Sequence, residues 1–127
     1  MGHYALFIRQ TKACYDRRMT KHDHQLADLL LAIEAEMRRV ELWESQAPSE
    51  QALQSLMPFC HDTLRFEQWL QWVFLPRMKI ILENEEILPQ SSDIHPLAEY
   101  ALAEHGTRVS ALLQAIAEFD RFIGSRN

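Results

Sequence analysis

Apolar residues recur along this chain at helical spacing in several stretches, and each stretch is bounded by residues that start or stop helices. Between Lys21 and Glu44, the positions Leu26, Leu29, Leu30, Ile33, Met37 and Val40 draw one apolar stripe on a 3.6-residue period. Asp28, Glu34, Arg38 and Glu41 lie off its centre, where i,i+3 and i,i+4 pairs add a little support. Pro48 interrupts the pattern, Ser49 caps a short helix predicted over Glu50 to Met57, and Pro58 stops it. Asp62 or Thr63 then caps a helix predicted over about Leu64 to Glu83.

That helix differs in kind from its neighbours. At 100° per residue, Phe66, Trp69, Leu70, Val73, Phe74, Ile80 and Ile81 fill one face, and Trp72, Leu75, Met78 and Leu82 spread over much of the other. Only a narrow polar strip of Glu67, Gln68, Gln71, Lys79 and Glu83 remains, as in a helix touched by several neighbours. After a loop from Asn84 to Asp93, His95-Pro96 opens a helix that runs to about Glu104 and ends at Gly106. Thr107 caps a last amphipathic helix over Arg108 to Ile123, with Val109, Leu112, Leu113, Ile116, Phe119 and Ile123 on its apolar face and Gly124 at its end. The pattern predicts an all-α fold: a compact bundle of four to five helices with a central, largely buried helix at about 64–83.

Composition supports that class. The 127 residues are 47% hydrophobic with three Gly, enough for one core in one domain of helix-favouring residues. The net charge of −5 is unevenly spread: residues 1–18 carry +3, leaving −8 on residues 19–127. An acidic body is a poor match for phosphate backbones, which disfavours direct nucleic-acid binding. Cys14 and Cys60 are too few for a disulfide framework, and no apolar run approaches the ~20 residues needed to span a bilayer. A soluble protein of the reducing cytoplasm is expected. Residues 1–18 show neither period nor cap, whereas Met19-Thr20-Lys21-His22-Asp23 reads like a beginning, Thr20 capping a helix that has Asp23 in its first turn. Met19 is therefore the expected start, residues 1–18 a disordered or non-native extension, and 19–127 the domain.

The candidate chemistry is thin. Arg77 and Asp120 each project onto the middle of an apolar stripe, where an unpaired charge is costly, so a pair between them is expected. Arg77 otherwise serves as a structural, snorkelling residue or contributes to a binding site. Pro76 removes a backbone hydrogen bond and predicts a kink near the Trp72 carbonyl. The Trp69 and Trp72 surfaces beside it form a candidate partner groove, in which one exposed ring is a natural anchor. Cys60-His61-Asp62 contains nucleophile-set residue types, but sequence neighbours seldom point at one another. His22 and His24 diverge at i,i+2 on a helix, so no catalytic, metal or cofactor site is predicted. Pro58, Asp62, Pro76 and Asp120 are assigned structural roles; Trp69, Trp72 and Arg77 are the candidate contacts.

Pro58-Phe59, Asp62-Thr63, Trp69-Leu70-Gln71-Trp72-Val73 and Pro76-Arg77-Met78, with the Met19-Thr20-x-His22-Asp23 opening, resemble the YqcC-like family of small bacterial cytoplasmic proteins over about residues 19–123. The resemblance implies a compact helical bundle of uncharacterised function, associated with tRNA pseudouridine synthase C. It does not imply catalysis by this chain, because pseudouridine synthases use an Asp in an Arg-Leu-Asp loop on a mixed α/β domain, and neither is found in this sequence. The expectation is a non-enzymatic accessory protein, without cofactor, that binds a protein partner, with tRNA pseudouridine synthase C as the candidate. The alternatives are an accessory protein that contacts tRNA directly, and a small-ligand binder or enzyme with a pocket near Arg77.

Overall fold

The computed structural model describes residues 21–125. The expected start at Met19, the Thr20 cap and the extension over residues 1–18 lie outside the described residues. Within them the chain is helical and no strand occurs. Helix α1 spans Lys21–Arg39, α2 is a single turn at Glu50–Leu53, α4 spans Ile94–Ala101 and α5 spans Ser110–Ser125. Helix α3 is continuous through an α turn at Phe66–Trp69, a π segment at Leu70–Phe74 and an α segment at Leu75–Glu83. Short 3₁₀ segments, Pro58–Cys60 and Ala103–Val109, precede α3 and α5.

The predicted stripes build the core. Leu26, Leu30, Ile33 and Met37 of α1 are buried with Leu112, Ile116, Phe119 and Ile123 of α5. Helix α5 packs against α1 and α4, and α1 packs against the C-terminal half of α3. Phe74 of α3 meets Phe119 of α5 edge-on, with ring centres 5.0 Å apart, an arrangement favoured by the ring quadrupoles. Burying these side chains contributes about 1.5–3 kcal/mol each, so the periodic positions account for the bundle.

Two helices end by the same device, α1 at Arg39 rather than the predicted Glu44 and α3 at Glu83 as its pattern predicts. Leu42 N–H donates to Met37 O at 2.9 Å and Glu41 N–H to Arg38 O at 3.2 Å, with Glu41 at φ 64°. The bonds from Glu86 to Ile81 (2.9 Å) and from Glu85 to Leu82 (3.4 Å), with Glu85 at φ 55°, repeat it after α3. This is the Schellman ending, which usually places Gly at the left-handed position. Arg108 closes α1 from outside, its guanidinium donating to Val40 O and lying 3.4 Å from Glu41 Oε1. The predicted continuation to Glu44 fails because that tertiary donor and the turn satisfy the last carbonyls first.

Other boundaries shift for local reasons. Ser49 does cap α2, accepting from Ala52 N at 3.1 Å, but the helix stops at Leu53 rather than Met57. Neither Asp62 nor Thr63 caps α3. Asp62 accepts from Ser55 Oγ at 2.6 Å, Thr63 Oγ1 donates to Ala52 O at 2.7 Å, and the cap position falls to Arg65, whose N–H is taken by Gln68 Oε1 at 2.9 Å. Asp62 thus keeps a structural role, tying the two ends of the loop. Thr107 falls within the 3₁₀ segment, and α5 begins at Ser110 and runs past Gly124. Gly106 there adopts φ 58°, ψ −139°, a conformation that a Cβ disfavours.

The expected disturbance at Pro76 takes the form of the π segment just upstream, where Leu75 N–H donates to Leu70 O across five residues. Widening the turn relieves the crowding that a proline imposes on the preceding turn. It also retards the angular count, since residues in a π turn advance less than 100° each. Ile80, assigned to the apolar face, is consequently 46% exposed, while Gln71, at the start of the π segment and assigned to the polar strip, is buried at 4% exposure under the loop at Glu44, whose backbone it binds.

Candidate functional site

The two charges expected to pair do not. Asp120, half-buried on α5, accepts from Ser92 Oγ at 2.6 Å, Ile94 N at 3.2 Å and His95 N at 2.7 Å. It caps the first turn of α4 from a neighbouring helix, where a carboxylate also meets the positive end of the helix dipole. Arg77 is exposed, where its charge remains hydrated and needs no buried partner. The π segment rotates Arg77 outward from the face an ideal helix would give it, and the loop before α4 brings donors to Asp120.

Trp69 and Trp72 sit on different flanks of α3, both half-buried, so neither is the exposed anchor that was expected. Trp69 belongs to an aromatic chain, 4.8 Å from Phe59, 5.9 Å from Phe66 and 5.4 Å from Phe74 between ring centres. That chain connects the loop at Phe59 to the core. Phe59 and Cys60 are consecutive left-handed residues at φ 58° and 50°, a strained pair held by the Ser55–Asp62 bond and by Cys60 N–H donating to Met57 O at 2.9 Å. Trp69 is therefore structural. Cys60 is buried and Asp62 is committed to Ser55, so both side chains serve this loop.

Trp72 lines a groove of about 320 Å³ between the end of α1, the following loop and α3. Its floor and walls are Trp72, Leu75 and Pro76 from α3 and Trp43 from the loop; Arg38 and Lys79 stand at its sides. Arg38 Cζ lies 4.5 Å over the Trp43 ring, a cation–π contact that holds the guanidinium against the indole. Arg38 Nε and Lys79 Nζ both reach one carboxylate, Glu34, at 3.0 and 3.3 Å. The Trp72 Nε1 atom is buried and meets no acceptor among the described residues, a shortfall that costs about 1–3 kcal/mol.

Gln71 fixes the groove's loop wall. Its Oε1 accepts from Glu44 N at 2.8 Å and its Nε2 donates to Glu44 O at 2.7 Å, so one buried amide clamps both polar groups of a single backbone residue. The Glu44 carboxylate is held in turn by Arg65 Nη2 at 2.8 Å and by Gln68 Nε2 at 3.3 Å. Glu83, farther along α3, has its carboxyl pKa raised by burial, an effect that the Lys79 ammonium partly offsets. Of the three candidate contacts only Trp72 reaches the groove, together with the structural Pro76. From sequence, Trp43, Arg38, Lys79 and Gln71 are assigned to no site, although a Trp in the last turn of a predicted helix, off its apolar stripe, was a usable signal. The described residues hold no cluster of three potential metal ligands, and no described helix is long and apolar enough to cross a membrane.

Comparison with known proteins agrees with the resemblance read from the central segment. Residues 25–122 match the DUF446 family, described as tRNA pseudouridine synthase C. An uncharacterised protein YqcC of Escherichia coli is 34% identical over 102 residues, covering 80% of this chain and 93% of that one. An uncharacterised Haemophilus influenzae protein is 35% identical over 94 residues, or 74% of this chain and 89% of that one. A Pectobacterium carotovorum protein named tRNA pseudouridine synthase C is 44% identical over 69 residues, which are 54% of this chain and only 18% of that one. The solution NMR structure of Escherichia coli YqcC superposes with a TM-score of 0.76 at 29% identity, covering 85% of this chain and 92% of that one. The helical-bundle class is therefore shared with an experimental structure.

Proposed function

Since the chain belongs to the DUF446 family, described as tRNA pseudouridine synthase C, we propose that it is a non-enzymatic accessory protein of the bacterial cytoplasm that binds tRNA pseudouridine synthase C. The observation that carries this reading is the Pectobacterium protein, where the similar stretch is only 18% of a chain with the synthase name. A domain joined covalently to a longer chain has a high effective concentration there; a separately made domain reaches the same arrangement by binding. The acidic balance of residues 19–127 favours a protein over an RNA backbone as the thing bound. The commitment of Cys60 and Asp62 to loop structure supports the non-enzymatic part.

The test is to mix the purified full chain with the synthase of the same bacterium and measure mass by light scattering after gel filtration. A complex of both chains is expected. Separate elution at tens of micromolar, with titration calorimetry also flat, would refute the partner; a salt-sensitive shift of tRNA by this chain alone would replace it with direct tRNA contact.

A further inference from the structure

We propose that the groove beside Trp72 receives an acidic segment of the protein partner, with an apolar side chain seated between Trp43 and Trp72 and neighbouring carboxylates taken by Arg38 and Lys79. The inference rests on the reading that the partner is a protein, and it adds where and by what chemistry that partner is held.

The groove is a built feature. Its floor is apolar, formed by Trp72, Leu75 and Pro76, and its loop wall is fixed to α3 by the two-bond clamp of Gln71 on Glu44. An occupant therefore meets a preformed wall and loses little in ordering it. Binding hot spots concentrate in such pockets of Trp and Arg.

Charge decides the class of occupant. Arg38 and Lys79 flank the apolar floor, on α1 and α3, and both direct their nitrogens to Glu34. The Glu34 side chain is 21% exposed. The Arg38 guanidinium gives only Nε to Glu34 and its side chain is 57% exposed, which leaves its terminal nitrogens to take an incoming carboxylate. The acidic residue on the loop side, Glu44, is already engaged by Arg65 and Gln68, which removes it as a repelling group. Basic or purely apolar segments lack this match, since opposite-sign arrangement at an interface is what selects partners.

A displayed library of random peptides, selected on the full chain, tests the inference without presuming which protein is bound. Peptides pairing a large apolar residue with Asp or Glu should be enriched. The best of them should lose affinity about tenfold or more on R38E/K79E, and should shift the Trp43 and Trp72 indole signals in NMR titration. R38Q/K79Q and W43A serve as milder variants if charge reversal beside Glu34 impairs folding, and Arg121→Glu on the exposed face of α5 should leave affinity within about twofold. Enrichment without acidic residues, equal binding to the groove variants, or no enrichment overturns the proposal, as does self-association that the groove variants abolish, which would assign the groove to a second copy. Synthase binding that survives R38Q/K79Q and W43A unchanged rejects the groove and leaves the synthase reading intact. Groove-dependent acidic peptides with no synthase binding reject the synthase and leave the groove intact.

Discussion

Replacing Gln71 with alanine removes both bonds to Glu44 and leaves a backbone N–H and C=O of a part-buried loop without protein partners. Two bonds at about 1 kcal/mol net each give about 2 kcal/mol. Desolvation of the stranded groups adds to this, but water entering through the groove limits the addition, so about 2–4 kcal/mol is expected. That is a large share of the roughly 5–15 kcal/mol that stabilises a domain. Urea unfolding with linear extrapolation measures it, and hydrogen exchange at the Glu44 amide locates it. The amide should exchange faster in the variant, while amides in the middle of α1 change only as global stability does. Gln71→Glu sharpens the test. Its carboxylate keeps the acceptor for Glu44 N–H but faces the Glu44 carbonyl where the amide donated, so its folded-state pKa is raised. The variant should therefore gain stability relative to wild type as pH falls and lose it as pH rises through that pKa. A Gln71→Ala change below about 0.5 kcal/mol, with unaltered Glu44 exchange, would show that the clamp does not hold the loop.

Three further outcomes follow from other contacts. Asp120→Ala should cost about 2–3 kcal/mol by stranding the donors at the start of α4, Arg77→Ala less than about 0.5 kcal/mol, and the double variant their sum, as chemical denaturation of all three will show. Glu41→Gly and Glu85→Gly should each raise stability by about 1 kcal/mol in the same assay, because both positions have left-handed φ that Gly adopts without strain. Glu83 has a raised carboxyl pKa through burial, so its deprotonation penalises the folded state increasingly as pH rises above the ordinary value of 4.5 and fully above the folded pKa. Glu83→Gln should then raise the thermal midpoint at neutral pH, with the gain disappearing below about pH 4; a gain independent of pH would contradict this assignment.

The resemblance and the bundle were legible from local pattern, and so were the loop cap at Ser49, the burial of the α1 and α5 stripes and the disturbance expected near Pro76. These depend on residues within a turn or two of one another, where helical spacing, capping and the missing proline N–H act directly. The sequence by itself thus determined which segments become helices and which faces they bury. The tertiary structure alone decided what completes them. The Gln71–Glu44 clamp joins residues 27 positions apart, Lys79 reaches Glu34 across 45, and Arg108 closes α1 across 68. A polar residue on a helix can be solvated or committed to a distant backbone group, and its local pattern is the same in both cases. The π segment compounds this, because one altered turn rotates every later side chain, moving Ile80 outward. The groove is formed by the end of α1, a loop and the middle of α3, so it exists only once packing has brought those segments together.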